Sequence, residues 1–380
     1  RRVARMGDCS HPAGRVTVRV SRAEAGTPMG TLNFAWWNLQ NLFDTDDDTI
    51  SRDFEYTPAH GWTDAALAAK LANLAAALDA LHGGQPLDLL AVCEIEKESL
   101  LARLLRTTAR QRHLTVANDP MGTSDLRGID VALAFNEAAL ELRAIRSHVV
   151  HLRYRTRDIL EAEFLVRASG EPLVVIASHW PSRSQGRWES EPARITVAEN
   201  IAYLIEGQLK FDAVRYEALR AANDLPTLRS RWDTPLLVCG DFNDEPADRS
   251  VVEHLKASRE RERVAGDTND LDRFAPEVAD YRARDIFVFN ATARLGAQGT
   301  GSYFFEGDDS GRATNRHQAL DQLVVSRGLL KPTGLRLIED SVHYMSDATV
   351  ATRSGRPRPF DRKTGKGTSD HLPLLAQLAY

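Results

Sequence analysis

The sequence lacks the features that mark disulfide-rich secreted proteins and membrane proteins. Its few cysteines are too scattered for a disulfide framework or a structural zinc site. The nearest candidate for a membrane span, residues 67–78, is interrupted by Lys70 and Asn73, whereas a transmembrane helix needs about 18 uncharged apolar residues. No apolar core of the signal-peptide type is present near residue 1. We therefore expect a protein with no membrane span and a cytoplasmic location. The cysteines are Cys9, Cys93 and Cys239.

An excess of positive charge is also missing. The formal net charge is -5, which excludes a protein that coats nucleic acid through bulk electrostatics, because such binding rests on many Lys and Arg contacts to phosphate. Any contact with a polyanion must then be local. The strongest local patch is the segment 353–366, which holds six basic residues against the single acid Asp361; the alternative is a flexible, solvated loop.

The rest of the composition is that of an ordinary globular enzyme. Hydrophobic residues make up 43% and charged residues 27% of the chain, and no internal repeat divides it. We predict one domain over residues 31–380, preceded by a basic N-terminal segment without fixed structure at residues 1–30. Cys93 and Cys239 lie inside apolar runs, which predicts small, buried core residues.

Hydrophobic periodicity predicts many short strands and a few helices. Thr63 is a suitable N-cap for a helix over 64–81, between strands at 31–37 and 88–93. The apolar segments 130–135, 140–150 and 159–166 follow without intervening helices, which favours antiparallel hairpins. Further strands are predicted at 114–117, 173–178, 286–289, 302–305, 320–326, 341–345 and 371–378, and further helices at 97–110, 192–209, 211–222 and 248–256.

Polar side chains stand where these predicted strands end. The clearest case is the stretch 236–246, in which an apolar run is followed by Asp241 and Asn243. One such residue alone is more often a cap or a hydrogen-bonded structural group, but the combination supplies oxygen ligands for Mg²⁺, a group that can deprotonate water, and donors for a phosphate. A zinc hydrolase fits less well, because the sequence has neither an HExxH motif nor a Cys/His cluster. The strand-end residues are Asn38, Glu94, His179, Asp241, Asn243, Asp321, Asp370 and His371.

Seven segments carrying these residues give the sequence a resemblance to a known family. They are WNLQNLF at 37–43, AVCEIE at 91–96, RGIDVAL at 127–133, SHWPSR at 178–183, GDFNDEP at 240–246, LDQLVVS at 320–326 and SDHLP at 369–373. Their order resembles that of the endonuclease/exonuclease/phosphatase superfamily, which includes deoxyribonuclease I and the inositol polyphosphate 5-phosphatases. The resemblance implies a four-layer α/β/β/α sandwich of the α+β class, in which two mixed, largely antiparallel sheets pack face to face with helices outside.

The resemblance also implies a role for each strand-end residue. Metal binding, of Mg²⁺ with Mn²⁺ as a substitute, falls to Glu94 together with Asn38 and Asp370. The catalytic set is Asp241 and Asn243, which handle the attacking water, and His179, His371 and Asp321, which flank the phosphate. Two departures from the family pattern remove no ligand: Cys93 stands for the usual glutamine and Gln322 for the usual tyrosine or histidine.

Three further residues are candidates for binding the substrate. Arg127 precedes a predicted central strand and can contact a phosphate, or else form a surface ion pair. Trp180 can stack on a base or cover the core, and Arg183 follows it in the same loop. Glu96 is a candidate for a second metal or for supporting Glu94.

Together these features predict a Mg²⁺-dependent phosphodiesterase, an endonuclease or exonuclease acting on DNA or RNA. The alternatives are a phosphatase or lipid phosphodiesterase of the inositol phosphate or sphingomyelin type, and a non-catalytic binding relative. The last is disfavoured because no ligand or histidine of the pattern is missing. A nucleic acid substrate is expected, and no obligate protein partner is indicated.

Overall fold

The computed structural model describes residues 30–47, 53–119, 122–271, 278–307 and 315–380. The predicted basic N-terminal segment, apart from Gly30, lies outside this part of the chain. The strands are β1 Thr31–Leu42, β2 Leu89–Ile95, β3 Thr115–Val116, β4 Asp130–Phe135, β5 Leu140–His148, β6 Ile159–Val166, β7 Pro172–His179, β8 Leu236–Asp241, β9 Ala257–Ser258, β10 Val288–Asn290, β11 Tyr303–Phe305, β12 Arg316–Gln318, β13 Asp321–Val325, β14 Arg336–Leu337, β15 His343–Tyr344 and β16 Leu374–Ala379. The helices are α1 Asp64–Gly84, α2 Glu98–Thr107, α3 Arg187–Leu209, α4 Ala213–Ala221, α5 Leu225–Trp232, α6 Arg261–Ala265, α7 Val278–Ala283 and α8 Ala293–Ala297.

The strands form two large sheets and a two-stranded ribbon. The first sheet has the order β14-β16-β1-β2-β4-β3, with β15 also paired to β16, and the second has the order β5-β6-β7-β8-β13-β10-β9. The ribbon consists of β11 and β12. Three pairs, β1–β2, β7–β8 and β9–β10, are parallel and the others are antiparallel. The predicted mixed, largely antiparallel sheets are therefore confirmed.

Alternation along the strands of the second sheet divides its side chains between two apolar cores. On β7, Val175 and Ala177 belong to the core shared with the first sheet, whereas Val174 and Ile176 belong to a second core with Ile201 of α3. This period of two is the one expected for strands buried on both faces. The core between the sheets is thus filled from both, and α3 covers the outer face of the second sheet.

Helices α1 and α2 cover the outer face of the first sheet. Leu74 and Leu78 of α1 and Leu104 of α2 are fully buried in the same apolar cluster as β1 and β2. Helix α1 begins where predicted, because the Thr63 side chain accepts a hydrogen bond from the Ala66 amide and so satisfies one of the free N–H groups of the first turn. The four-layer α/β/β/α architecture is confirmed.

Two sequence predictions about connectivity were wrong or incomplete. Strand β4 does not form a hairpin with β5: it pairs with β2 and β3 in the first sheet, whereas β5 pairs with β6 in the second. The predicted helix over 248–256 is present only as a five-residue π-helix, Ser250–His254. The sequence analysis did not predict helix α5. The predicted final pair of strands is confirmed as β15 with β16.

The cysteines follow the prediction where the structure describes them. Cys93 and Cys239 are both fully buried free thiols, and Cys9 lies outside the described residues. Of the helices described, none has the length and apolarity that crossing a bilayer would require.

Candidate active site

Three of the predicted site residues lie side by side at one end of the second sheet. His179 at the end of β7 is the register partner of Asp241 at the end of β8, and Asp241 is in turn the partner of Asp321 at the start of β13. All three share the strand parity of Ala177, whose side chain lies in the core between the sheets. Their side chains therefore emerge together at the edge of the space between the two sheets.

The first sheet contributes Asn38 and Glu94 from the opposite side. Asn38 and Cys93 are register partners on β1 and β2, so Glu94 follows directly beside Asn38. The Asn38 amide donates a hydrogen bond across the space between the sheets to Oδ2 of Asp241, at 3.1 Å. Residues from both sheets are thereby joined at one point.

The backbone is strained around this point. Among the described residues, seven non-glycine residues have positive φ, and four of them lie here, at φ values between 50° and 58°. Such conformations cost about 1–3 kcal/mol each and persist where the surroundings enforce them. For Glu94, the enforcing contact is the hydrogen bond that its Oε2 accepts from the Asn41 amide, at 2.9 Å. The four residues are Gln40, Asn41, Glu94 and Asn243.

His371 is held as a charged group. Its Nδ1 lies 2.6 Å from Oδ2 of Asp321, while Oδ1 of Asp321 accepts a hydrogen bond from the Trp36 indole, also at 2.6 Å. Burial alone lowers the pKa of His371, but the carboxylates of Asp321 and Asp241 outweigh it and raise that pKa well above its ordinary value. The charged, imidazolium form of His371 is therefore favoured.

His179 has the opposite character. Burial lowers its pKa well below the ordinary value, and the nearby cations Arg157 and Arg127 lower it further. Its Nδ1 has no hydrogen-bond partner among the described residues, and its Nε2 lies 3.7 Å from Oδ2 of Asp241 and 3.8 Å from Oε1 of Glu94. The neutral form of His179 is thus favoured, and its Nε2 faces both carboxylates.

Asp241 lies between the two histidines. Its Oδ1 accepts a hydrogen bond from the Asn243 amide, and its Oδ2 lies 3.7 Å from Nε2 of His179 and 3.8 Å from Nε2 of His371. These separations exceed hydrogen-bonding distance, so both Nε2 atoms face the site without bonding to the carboxylate. Burial raises the pKa of Asp241 to about 7, against the lowering effect of the nearby His371 charge.

Arg157 is a site residue that the sequence analysis missed. Its Nη2 donates to the carbonyl oxygen of Trp180 at 2.6 Å, and the Asn243 side-chain amide donates to the same oxygen at 3.0 Å. Its Nη1 pairs with Asp125 at 3.2 Å. Arg157 thus fixes the loop that holds Asn243. It precedes a strand in an arginine-rich segment, so no strand-end signal marked it in the sequence.

The proposed base-stacking role of Trp180 is incorrect. The ring is fully buried and stacks on Phe242, with centroids 4.3 Å apart, and its indole N–H donates to Ser178 Oγ. A ring covered in this way has no face free for a base. The alternative, a residue covering the core, is the correct one.

Arg183 is also engaged within the protein. Its Nη2 lies 2.9 Å from a carboxylate oxygen of Asp244 and 2.6 Å from one of Asp248. These two ion pairs fasten the loop after β7 to the loop after β8, which corrects the substrate-binding role expected for Arg183. Arg127 remains available, because its side chain is 49% exposed and its nearest carboxylate, that of Asp125, is 3.7 Å away.

The donor set at Glu94 and Asp370 suits a hard divalent cation. Glu94 Oε1 accepts no hydrogen bond from the described residues, and the carboxylate of Asp370 meets only the Ser369 hydroxyl, at 3.5 Å. Both carboxylates raise the pKa of the buried Lys70 amine through their charge, so they lie on the same side of the site. Oxygen donors of this kind are those that Mg²⁺ and Mn²⁺ prefer.

A second group of possible ligands fits a metal less well. Asp241, Asp321 and His371 have potential ligand atoms within 4.8 Å of one another. However, both oxygens of Asp321 and Nδ1 of His371 are already used in the bonds to Trp36 and to each other. A metal at this group would have to displace these buried bonds.

The geometry around β1 bears on two further predictions. Glu96 is engaged in the turn after β1, where its Oε2 accepts a hydrogen bond from the Asp44 amide, at 2.7 Å, and its role beside Glu94 stays a prediction. The basic segment 353–366 is not a loose loop, since isolated bridges and side-chain contacts hold it in place. We call this segment the basic arm of the site.

Comparisons with known proteins agree with the motif resemblance. The chain matches the model of the Endonuclease/Exonuclease/phosphatase family over residues 33–380. No curated protein sequence matches it.

Solved structures give more distant similarities. A TDP2 structure from D. rerio with a single-strand DNA product has 14% identity and a TM-score of 0.46, covering 92% of this chain and 98% of that one. The human Nocturnin catalytic domain with bound sulfate has 14% identity and a TM-score of 0.44, covering 92% and 94%. A mannosyl-6-phosphatase from Bacteroides thetaiotaomicron has 11% identity and a TM-score of 0.45, covering 92% and 100%.

Proposed function

Because the chain belongs to the endonuclease/exonuclease/phosphatase family, whose members hydrolyse phosphate esters, we propose that it is a metal-dependent phosphodiesterase that cleaves nucleic acid. The observation that carries this proposal is the position of Asp241. One of its oxygens lies 3.7 Å and 3.8 Å from the Nε2 atoms of His179 and His371, and the pKa values of these two histidines are shifted in opposite directions.

This arrangement supplies the groups that hydrolysis of a phosphodiester needs. Asp241, with a pKa of about 7, accepts a proton from the attacking water near neutral pH, where such a base is most effective. The Asn243 side chain is held by the Trp180 carbonyl, and it positions the water. The imidazolium of His371 stabilises the charge that develops on the phosphate oxygens.

His179 plays a different part because it is neutral. A neutral imidazole can donate to a phosphate oxygen through one nitrogen without repelling a neighbouring cation. It lies 3.8 Å from Oε1 of Glu94, the residue that would hold a divalent cation together with Asp370, with Asn38 aligning Asp241 beside them. When bound there, the cation would act as a Lewis acid that neutralises charge on the phosphate.

Exposed positive charge supports nucleic acid as the substrate. On the basic arm, Arg353, Lys363 and Lys366 have no side-chain partner among the described residues, and Arg127 is half exposed beside His179. A polyanion reaching the site can meet these cations outside the reaction centre, whereas a small phosphomonoester is too short to meet all of them. A nucleic acid strand therefore uses more of this surface.

A plasmid-nicking assay tests the proposal. Purified protein is incubated with supercoiled plasmid and either Mg²⁺ or EDTA, and Asp241→Asn is compared with the matched control Asp340→Asn, an exposed acid without a side-chain contact among the described residues. We expect cleavage by wild type and by Asp340→Asn in Mg²⁺ only, and a loss of about 10³-fold or more in Asp241→Asn.

Metal-independent cleavage, or equal cleavage by the two variants, would contradict the proposal. Parallel assays with a phosphomonoester, an inositol phosphate and sphingomyelin separate the other activities. If one of these is hydrolysed with the same dependence on Asp241 while plasmid and oligonucleotide are not, the nucleic acid assignment is wrong.

A further inference from the structure

A lysine on the apolar face of α1 is buried over the Phe360 ring, 5.0 Å from its centroid, without a direct ion pair to any described residue. Lys70 is 1% exposed, and its ammonium donates one hydrogen bond, to the carbonyl oxygen of Gln40 at 2.5 Å. No carboxylate oxygen within 4.0 Å of its Nζ is found among the described residues. An ammonium has three donors, and burying an incompletely paired charge is costly. This lysine therefore needs an explanation.

Lys70 lines a small cavity with a mostly polar set of neighbours. The cavity has a volume of about 140 Å³. Because a water molecule occupies about 30 Å³ of liquid, the space is sufficient for one tetrahedral oxyanion with one or two waters. The lining residues are Gln40, Asn41, Tyr56, Trp62, Lys70, Phe360 and Arg362.

A second cation completes this cavity from the basic arm. Arg362 donates through Nη1 to the carbonyl oxygens of Glu55, at 2.8 Å, and His60, at 3.3 Å. Its Nε and Nη2 have no partner among the described residues. Two cationic side chains from distant parts of the sequence thus line one cavity, and both retain donors that the protein does not use.

The walls of the cavity are fixed before any ligand binds. The Gln40 side chain accepts a hydrogen bond from the Phe360 amide, at 2.7 Å. Tyr56 stacks on Phe43 with centroids 4.1 Å apart, and its other neighbour Trp62 contacts Phe360 edge to face, at 5.9 Å. A preorganised cavity loses little entropy on binding.

The cavity adjoins the candidate metal ligands. Asn41, one of its lining residues, donates its backbone amide to Oε2 of Glu94 at 2.9 Å. Burial lowers the pKa of Lys70 to about 7, although the charges of Asp370 and Glu94 raise it. The charge of Glu94 also raises the pKa of Tyr56. A group in the cavity would therefore lie next to a phosphate held at Glu94.

We propose that the cavity lined by Lys70, Arg362 and Tyr56 binds a second phosphate group of the substrate, adjacent to the phosphate that is cleaved. An oxyanion pairs with the buried ammonium and with the free edge of the guanidinium, whereas a neutral sugar or base leaves both cations unpaired. The reaction at the neighbouring phosphate rests on the proposed function, but the anion site itself does not.

The anion site can be tested without catalysis. Melting temperature is measured against inorganic phosphate concentration in EDTA at constant ionic strength, since a ligand that binds only the folded state stabilises it according to its concentration and Kd. The variants are Arg362→Gln and Lys70→Met. The matched control is Arg220→Gln, which removes an exposed arginine of α4 that has no side-chain partner among the described residues.

We expect phosphate to stabilise wild type and Arg220→Gln alike, and to bind about tenfold more weakly to Arg362→Gln, which loses a charged hydrogen-bond donor. Lys70→Met is expected to show the same loss together with a raised melting temperature without phosphate, because an apolar side chain replaces a buried charge. Equal phosphate affinity in wild type and Arg362→Gln would overturn the proposal, even if Lys70→Met does not fold.

A kinetic comparison tests the link to catalysis. The substrates are two thymidine dinucleotides that differ only in a terminal 5′-phosphate. We expect wild type to cleave the phosphorylated one with about tenfold higher kcat/KM, and Arg362→Gln to cleave both equally. Equal rates in wild type would overturn the role in substrate binding. Cleavage of neither dinucleotide or plasmid would instead count against the proposed function, and the phosphate titration would still decide the anion site.

Discussion

The two histidines beside Asp241 lie at almost the same distance from one carboxylate oxygen, but their pKa values are shifted in opposite directions. His371 has the buried carboxylate of Asp321 on its far nitrogen and is protonated. His179 has no partner on its Nδ1 among the described residues, and burial together with the nearby Arg157 and Arg127 lowers its pKa well below the ordinary value, which favours the neutral ring. Both rings are buried, which lowers both pKa values, but only His371 has a carboxylate hydrogen-bonded to its second nitrogen that outweighs this effect, whereas His179 has cations nearby. Changing Asp321 or Arg157 should therefore shift the pKa of one histidine without shifting that of the other.

The largest effect is expected from Asp321→Asn. The amide keeps the shape and can still accept from the Trp36 indole, but it removes the charge that keeps His371 protonated. We expect kcat to fall about 10⁴-fold, as when a catalytic histidine loses its orienting carboxylate. The measurement is cleavage of plasmid or oligonucleotide in Mg²⁺, with Asp340→Asn as the control. A fall of less than tenfold would mean that the charge on His371 is not needed.

The second prediction concerns stability against pH in EDTA. The folded pKa of His371 is raised above its ordinary value of 6.5, so the bond to Asp321 contributes fully below about pH 6.5 and is lost as the pH rises through the folded pKa. We expect Asp321→Asn to lower the free energy of unfolding by about 3 kcal/mol at pH 6, and by less at higher pH. Urea unfolding of wild type and variant measures this, and a difference that grows with pH would contradict it.

The third prediction changes the other histidine. Arg157→Gln removes a cation that lowers the pKa of His179 and a donor to the carbonyl that also holds Asn243. We expect the pKa of His179, followed by NMR, to rise, and kcat to fall about tenfold through the loosened loop. Arg155→Gln, an exposed neighbour, is the control. An unchanged pKa of His179 would show that burial alone keeps it neutral.

The smallest effect is expected from Trp180→Phe. The ring stack on Phe242 is kept, and the bond to Ser178 Oγ is lost, which should cost about 1 kcal/mol of stability. The KM for an oligonucleotide should stay within about twofold, as for Trp188→Phe at an exposed tryptophan. A tenfold higher KM at unchanged stability would restore the base-stacking role.

Much of the site follows from strand alternation and motif order. His179, Asp241 and Asp321 each end or begin an apolar strand, and their register places them side by side. The sequence marked all three for that reason. Their charge states could not be predicted, because these depend on Arg157 and on the partners of each ring, which come from distant segments.

Connectivity and buried exceptions were harder to predict. Alternation identified β4 as a strand but contains no information on which sheet it joins. Trp180 and Arg183 lie in a polar loop sequence, and only packing reveals that their side chains are used within the protein. Lys70 did leave a signal, since it interrupts the apolar face of α1, but a lysine there is equally compatible with a side chain that reaches solvent.

The register that joins β7, β8 and β13 makes the site sensitive to chain length. Side chains alternate between the two faces of a strand, so deleting one residue within β8 would turn Asp241 toward α3 and bring Phe242 into its place, although every catalytic residue would still be encoded. Insertions in the connections between strands leave this parity untouched. Natural variation in such a protein should therefore accumulate as loops of differing length around strands whose residue count does not change.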